Sequence, residues 1–302
     1  MKQGGAITKC SGKSREGVFG ASSFAMRKKT MNYSRWILAA LLVLVVGCGQ
    51  EQSTAEGEQT TTAATVSTGS LDYVAFGDSL ATGYGYNSYV DRYAALLGTD
   101  TGANVNVNNL GMNGLTSGQL RATIENDQRA KGAIEQSEVI TINIGANDLL
   151  QARSRYKAGY CGGADNQDCL RQAVTDFRAN WDAILDSVTG LRSHNAVIIR
   201  VVDFYNPFVD LDASVISWPD NVANDLSIFE KYLKQVNTHI VESSNAYDIP
   251  HAGIHEAFNG PNGAEDPNDK GYLHPDGIHP NDAGHAAIAQ ELRELGYKPL
   301  YR

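Results

Sequence analysis

Along the chain, short continuous apolar runs alternate with stretches whose apolar residues recur every three or four positions. The runs Tyr73–Phe76, Val105–Asn109, Val139–Ile144 and Ala196–Val202 predict strands, with a weaker one at His251–Ile254. Val139-Ile140-Thr141-Ile142 and Val197-Ile198-Ile199 suit strands covered on both faces. Between the runs, Tyr89–Leu97, Gly118–Ala130, Leu170–Leu191, Val222–Ser244 and Asn281–Leu295 predict helices. In Leu170–Leu191 the residues Val174, Phe177, Trp181, Ile184, Leu185 and Val188 share one helical face, which marks that stripe as core rather than binding surface. The alternation predicts one α/β domain over 71–302, a three-layer α/β/α arrangement around a mainly parallel central sheet. Ligands of such sheets bind beyond the carboxyl ends of the strands, so the residues that follow each run are where chemistry is expected.

Before residue 71 the pattern differs. Arg27-Lys28-Lys29 and Arg35 precede an apolar run from Trp36 to Val46, and Gly47 and Cys48 follow. Such a run is too short to span a bilayer and has the length of the apolar region of a signal peptide. Its end, Leu44-Val45-Val46-Gly47-Cys48, resembles a bacterial lipobox, in which the cysteine is acylated and becomes the new N-terminus. Residues 1–47 are therefore expected to be a targeting segment, with Met26 or Met31 as a more ordinary start, and Cys48 a lipidation site. The Ser-, Thr-, Ala-, Gln- and Glu-rich stretch 48–70 holds almost no large apolar residue and reads as a tether. A plain secretory signal ending near a cysteine is the alternative. Both readings place the protein outside the cytoplasm, as a lipoprotein facing the periplasm or cell exterior in the first.

Charge narrows the partners. Eight basic residues and one acidic residue precede Cys48, which leaves a net charge of −16 beyond it. So acidic a body is repelled by phosphate backbones and anionic headgroups; nucleic acid is excluded, and membrane contact is expected through the anchor alone. A monomer is expected. Cys161 and Cys169 flank a Gly-rich stretch in a chain bound for an oxidising compartment and are expected to form a disulfide. Two thiols without a nearby His make a poor zinc site. The acid-rich loop 262–271 lacks the alternation of a calcium loop and reads as surface. His194, His239, His251 and His255 are scattered, and His285 is expected to face solvent.

Three strand ends and one segment near the C-terminus carry candidate chemistry. Phe76-Gly77-Asp78-Ser79-Leu80 follows the first run, where a serine at a strand-to-helix turn presents its hydroxyl at the mouth of the sheet. Asp and Ser are also ordinary helix caps. The second run ends in Asn109-Leu110-Gly111-Met112-Asn113-Gly114; a glycine there exposes a backbone N–H to an oxyanion, or simply makes a turn. In Ile144-Gly145-Ala146-Asn147-Asp148, the Asn147 amide is a possible second donor or a cap, and Asp148 is read as a cap of the following helix. Near the C-terminus, His274-Pro275-Asp276-Gly277-Ile278-His279-Pro280-Asn281 places a carboxylate three residues before an imidazole, suited to fixing its tautomer. A metal ligand pair or a helix-entry turn is the alternative, with Asn281 an N-cap in every case.

Taken in order, Gly77-Asp78-Ser79-Leu80, Gly111, Gly145-Ala146-Asn147-Asp148 and Asp276-Gly277-Ile278-His279 resemble the four blocks of the SGNH subgroup of GDSL hydrolases, over roughly Tyr73 to Leu295. The resemblance implies a flavodoxin-like fold and a serine esterase or lipase. Ser79, Asp276 and His279 would be its triad, with the Ser79 and Gly111 N–H groups and the Asn147 side chain as its oxyanion hole. The implied substrate is a small-molecule or lipid ester, and no metal or organic cofactor is called for. Ala146 departs from the second glycine common in relatives. Carbohydrate deacetylation, lysophospholipid or thioester cleavage, and a non-catalytic binding role are the alternatives.

Overall fold

A computed structural model describes residues 69–219 and 222–301. The targeting segment, Cys48 and nearly all of the tether lie outside the described residues. Five strands form one sheet: β1 (Ser70–Gly77), β2 (Asn104–Asn109), β3 (Val139–Asn143), β4 (Ile198–Val202) and β5 (His251–Ala252). All pairings are parallel, in the order β2-β1-β3-β4-β5. Parallel neighbours need crossovers, and helices supply them.

Strand side chains alternate between two cores. Val74, Phe76, Ile140, Ile142, Ile199 and Val201 pack with α3 (Ser117–Asn126), α4 (Gln128–Gln136), α5 (Ala146–Lys157), α6 (Asp168–Leu191) and α8 (Asp225–Ala246). On the other face Leu71, Tyr73, Ala75, Val139, Ile198 and Val202 pack with α1 (Ser79–Thr82), α2 (Tyr89–Thr101), α9 (Ile254–Asn259) and α10 (Asp282–Glu294). A short α7 (Val209–Ala213) completes the set. The result is the expected three-layer α/β/α arrangement. Trp181 lies in the core with its stripe, fully buried. β2, at the sheet edge, carries exposed asparagines on the polar positions of its pattern.

Some local expectations change. The helix expected over Gly118–Ala130 is two helices, because Asp127 ends α3 in an extended conformation and caps α4 with its side chain. α5 was not expected from the pattern; it buries only Leu149, Ala152 and Tyr156. Asp148 lies in its first turn and caps a different helix, accepting the N–H of Ser117 at 2.9 Å and its hydroxyl at 2.6 Å at the start of α3. His285 is buried, not solvent-facing. It falls in the apolar stripe of α10 with Ile288, Ala289 and Leu292, so helical spacing turns it toward the sheet. Among the described residues neither of its ring nitrogens completes a hydrogen bond, and burial lowers its pKa to about 4, against a smaller opposing pull from the Gly83 carbonyl.

Cys161 and Cys169 form the expected disulfide, which joins the loop after α5 to the first turn of α6. In the loop 262–271, Lys270 pairs with Glu265 and donates to the Ala257 carbonyl. Among the described residues, no three metal-ligating side chains gather as a metal site, and no helix is long and apolar enough to cross a membrane.

Candidate active site

β1 delivers the serine. A side chain at Gly77 would come within 2.8 Å of both the Asn143 carbonyl and the Ala81 Cβ, so only glycine lets β1 pass this close to β3 and α1. Asp78 then caps α1, its Oδ1 accepting the Leu80 N–H at 3.0 Å. Ser79 opens α1, with its side chain at the carboxyl end of the sheet and its N–H among the groups left free at a helix start. Burial raises the Asp78 pKa to about 7, a rise that the Leu80 N–H moderates and the nearby Asp148 carboxylate reinforces.

The segment before α10 delivers the imidazole. Its turn is closed by hydrogen bonds from the His274 N–H to the His279 carbonyl and from the Gly277 N–H to the His274 carbonyl. Asp276 Oδ1 accepts the N–H groups of Ile278 and His279 at 2.9 and 3.0 Å, which turns the carboxylate back along the chain. Its Oδ2 then lies 2.7 Å from His279 Nδ1, and His279 Nε2 lies 3.0 Å from Ser79 Oγ. Burial pushes the Asp276 carboxyl up, but these hydrogen bonds prevail and hold it at about 2. An ionised carboxylate at Nδ1 places the ring proton there and leaves Nε2 as the acceptor for the serine hydroxyl. Asn281 caps α10 as expected, accepting from the Ala283 and Gly284 N–H groups.

A predominantly apolar cavity of about 220 Å³ opens beside the serine. Leu149, Leu150, Phe204, Tyr205, Pro207, Phe229 and Leu233 line it together with Ser79, Asn147 and His279. In the aromatic segment after β4, Phe204, Tyr205 and Phe208 are buried, and the first two also face the cavity.

The donors differ in availability. Asn147 Nδ2 donates to the Leu115 carbonyl at 3.0 Å and to Asp78 Oδ2 at 3.2 Å. The Gly111 N–H donates to the Asn109 side chain at 3.0 Å. No side chain fits at Gly111, since its Cβ would lie 2.8 Å from that of Ala81.

Residues 75–287 match the model of the GDSL-like Lipase/Acylhydrolase family. The chain belongs to this family. It is 24% identical over 236 residues to the spore germination lipase LipC of Bacillus licheniformis, an alignment covering 76% of this chain and 98% of that protein. Among solved structures, a lipase from a goat rumen metagenome superposes with a TM-score of 0.62 at 24% identity, over 76% of this chain and 99% of that one. A phospholipase A1 from Streptomyces albidoflavus gives 0.53 at 17% identity, over 74% and 98%. These likenesses support the α/β fold, and membership of the GDSL-like family makes the protein a carboxylic ester hydrolase.

Of the residues singled out in the sequence of this GDSL-like hydrolase, Ser79, His279 and Asp276 form one hydrogen-bonded chain, and Asn147 reaches the same site through Asp78. Three contacts at the site have no counterpart in the sequence reading. The Asp78–Asn147 bond spans 69 residues. Tyr205 donates its hydroxyl to the carbonyl of Ile278. Tyr84 stacks on His279. None of the three has a local signature, because each pairing depends on which strand ends become neighbours.

Proposed function

We propose that the protein is a serine esterase or lipase that hydrolyses carboxylic esters through an acyl-enzyme on Ser79. The observation that carries this reading is the continuous chain Asp276 Oδ2–His279 Nδ1 at 2.7 Å and His279 Nε2–Ser79 Oγ at 3.0 Å, at the edge of an apolar cavity. As Ser79 Oγ bonds to the ester carbonyl carbon, its proton passes to His279 Nε2 and the carbonyl electron pair moves onto oxygen. Collapse of that oxyanion breaks the ester C–O bond, and the departing alcohol takes the proton from Nε2. Water repeats the sequence on the acyl-enzyme, releasing the acid and restoring Ser79.

The oxyanion would be held by the Ser79 N–H, the Asn147 amide and a main-chain N–H from the loop after β2. For Gly111 to supply the last, its bond to Asn109 must open, and for the Asn147 amide to reach the oxyanion its longer bond to Asp78 must open. Gly114 offers a second possibility. Its neighbour Asn113 accepts from Thr82 at the end of α1, and its other neighbour Leu115 holds the Asn147 amide. The Gly114 N–H itself has no acceptor among the described residues.

The apolar lining of the 220 Å³ cavity gives an acyl chain longer than acetyl a surface to bury itself against, which favours short- to medium-chain esters over acetate. The decisive experiment compares wild type with Ser79→Ala on p-nitrophenyl esters from acetyl to palmitoyl. Turnover peaking between butyryl and octanoyl, and lost in the variant, is expected; equal turnover in Ser79→Ala overturns the reading. The lipobox-like end of the apolar run supports export and acylation at Cys48. Membrane partitioning of the full chain, abolished by Cys48→Ala, tests that part.

A further inference from the structure

Tyr84 occupies a costly position. It follows Gly83 and precedes Gly85, and the three residues have φ of 80°, 46° and 95°, successive left-handed conformations that a tyrosine ordinarily avoids. Hydrogen bonds hold the turn: the Tyr84 N–H donates to the Thr82 hydroxyl at 3.3 Å, that hydroxyl donates to Asn113 Oδ1 at 2.6 Å, and the Tyr86 N–H donates to the Gly83 carbonyl at 2.9 Å. Burial does not explain the residue, since Tyr84 is 42% exposed. Glycine or asparagine would take this backbone with less strain.

What the turn achieves is placement of the ring. Tyr84 lies flat against the His279 imidazole, with centroids 3.6 Å apart and planes 10° from parallel. His274 meets the same ring edge-on at 6.3 Å, and Tyr86 meets His274 at 5.6 Å. One face of the imidazole is thereby closed to water, while its two nitrogens remain directed at Asp276 and Ser79.

We propose that Tyr84 is a positioning residue for His279, its ring fixing the imidazole plane and stabilising the imidazolium formed when Ser79 gives up its proton. The proposal rests on the reading of Ser79, His279 and Asp276 as nucleophile, base and orienting acid. An aromatic face carries negative charge density and attracts a cation within about 6 Å, whereas it gains less from a neutral ring. Tyr84 therefore favours the protonated state reached during reaction over the resting one, which is the differential that accelerates a step. The other groups around His279 are Asp276 and His274 on its own turn, Ser79 and buried Asp78 at α1, His285 on α10 with the Arg92–Asp282 pair beyond it, and Tyr205 through the Ile278 carbonyl. All of these remain when Tyr84 is changed.

The test compares Tyr84→Leu, Tyr84→Asn and Tyr84→Phe with wild type and Ser79→Ala, using p-nitrophenyl butyrate across pH and thermal melts as a check on folding. Asparagine suits the left-handed backbone and keeps the test available where leucine disturbs the loop. In the leucine and asparagine variants kcat is expected to fall about tenfold with KM changed by less than about twofold. The apparent pKa on the acid limb of kcat/KM should fall by about half a unit. Tyr84→Phe, which retains the ring, should recover most of the rate and the pKa. Wild-type kcat in the ringless variants, a slowed variant with an unmoved pKa, or a phenylalanine variant as slow as leucine would each overturn the proposal. Full turnover in Ser79→Ala overturns the parent reading and this one together; an inactive Ser79→Ala beside fully active Tyr84 variants removes only the role of Tyr84.

Discussion

The Tyr205 hydroxyl donates to the Ile278 carbonyl at 2.5 Å, tying a wall of the apolar cavity to the residue that precedes His279. Filling the cavity and aligning His279 are thus mechanically linked. Tyr205→Phe keeps the wall and deletes the tie, which leaves a carbonyl without its partner. A net hydrogen-bond loss of about 1 kcal/mol expressed in the transition state lowers kcat roughly fivefold. Steady-state kinetics should show that loss in kcat, with KM nearly unchanged.

Asp276→Asn should be far more damaging. An amide in place of the carboxylate no longer stabilises an imidazolium and permits the wrong tautomer of His279, an effect of about 10⁴ in kcat in a comparable triad. Because Asp276 titrates at about 2 in the wild type, it stays ionised throughout the neutral range. The acid limb of the wild-type pH–rate profile above pH 4 should accordingly not arise from this carboxylate, which measurement of kcat/KM between pH 4 and 9 checks.

Leu233 reaches the cavity from α8 and is buried there. Leu233→Ala removes about three carbon atoms of side chain, space for two or three methylenes of substrate. The preferred p-nitrophenyl ester should lengthen by about that number of carbons, at a stability cost of roughly 2–5 kcal/mol. A chain-length profile and a denaturant melt read the two effects separately.

Burial raises the Asp203 pKa to about 7, even though the His255 N–H donates to its carboxylate at 3.0 Å and His255 lies nearby. Between about pH 4 and 7 the folded protein therefore holds a proton at this site that the unfolded chain has released. The stability this provides is complete below the unfolded pKa and is lost as pH rises through 7, at about 1.4 kcal/mol per pH unit. Asp203→Asn cannot titrate and should flatten that part of the stability–pH curve. Urea unfolding at pH 5, 6 and 7 measures it; an unchanged slope refutes the assignment.

The readable parts of this fold were those with a one-dimensional signal. β3, β4 and the Tyr73–Phe76 part of β1 are covered on both faces and so appear as near-continuous apolar runs, interrupted at Thr141 and Arg200, and α6 and α10 carry broad stripes. α5 escaped because its buried face is only three residues wide while Gln151, Ser154 and Arg155 fill the rest with polarity. The same logic governs the site. Ser79 and Asn147 follow strand ends and His279 stands just before the cap of α10, where their types stand out. Tyr84 sits on an exposed turn that gives no hint of the imidazole above it. His285 was misplaced because its polarity outweighed a helical spacing that pointed inward.

Ser79 and His279, bonded across 3.0 Å, are separated by 200 residues of chain. During synthesis Ser79, the cavity walls from α5 and α8 and the aromatic segment after β4 are all made before His279. A nascent chain that stops short of residue 279 lacks the base that the proposed mechanism requires. On that mechanism competence comes only late in translation, when the last segment of the domain is made.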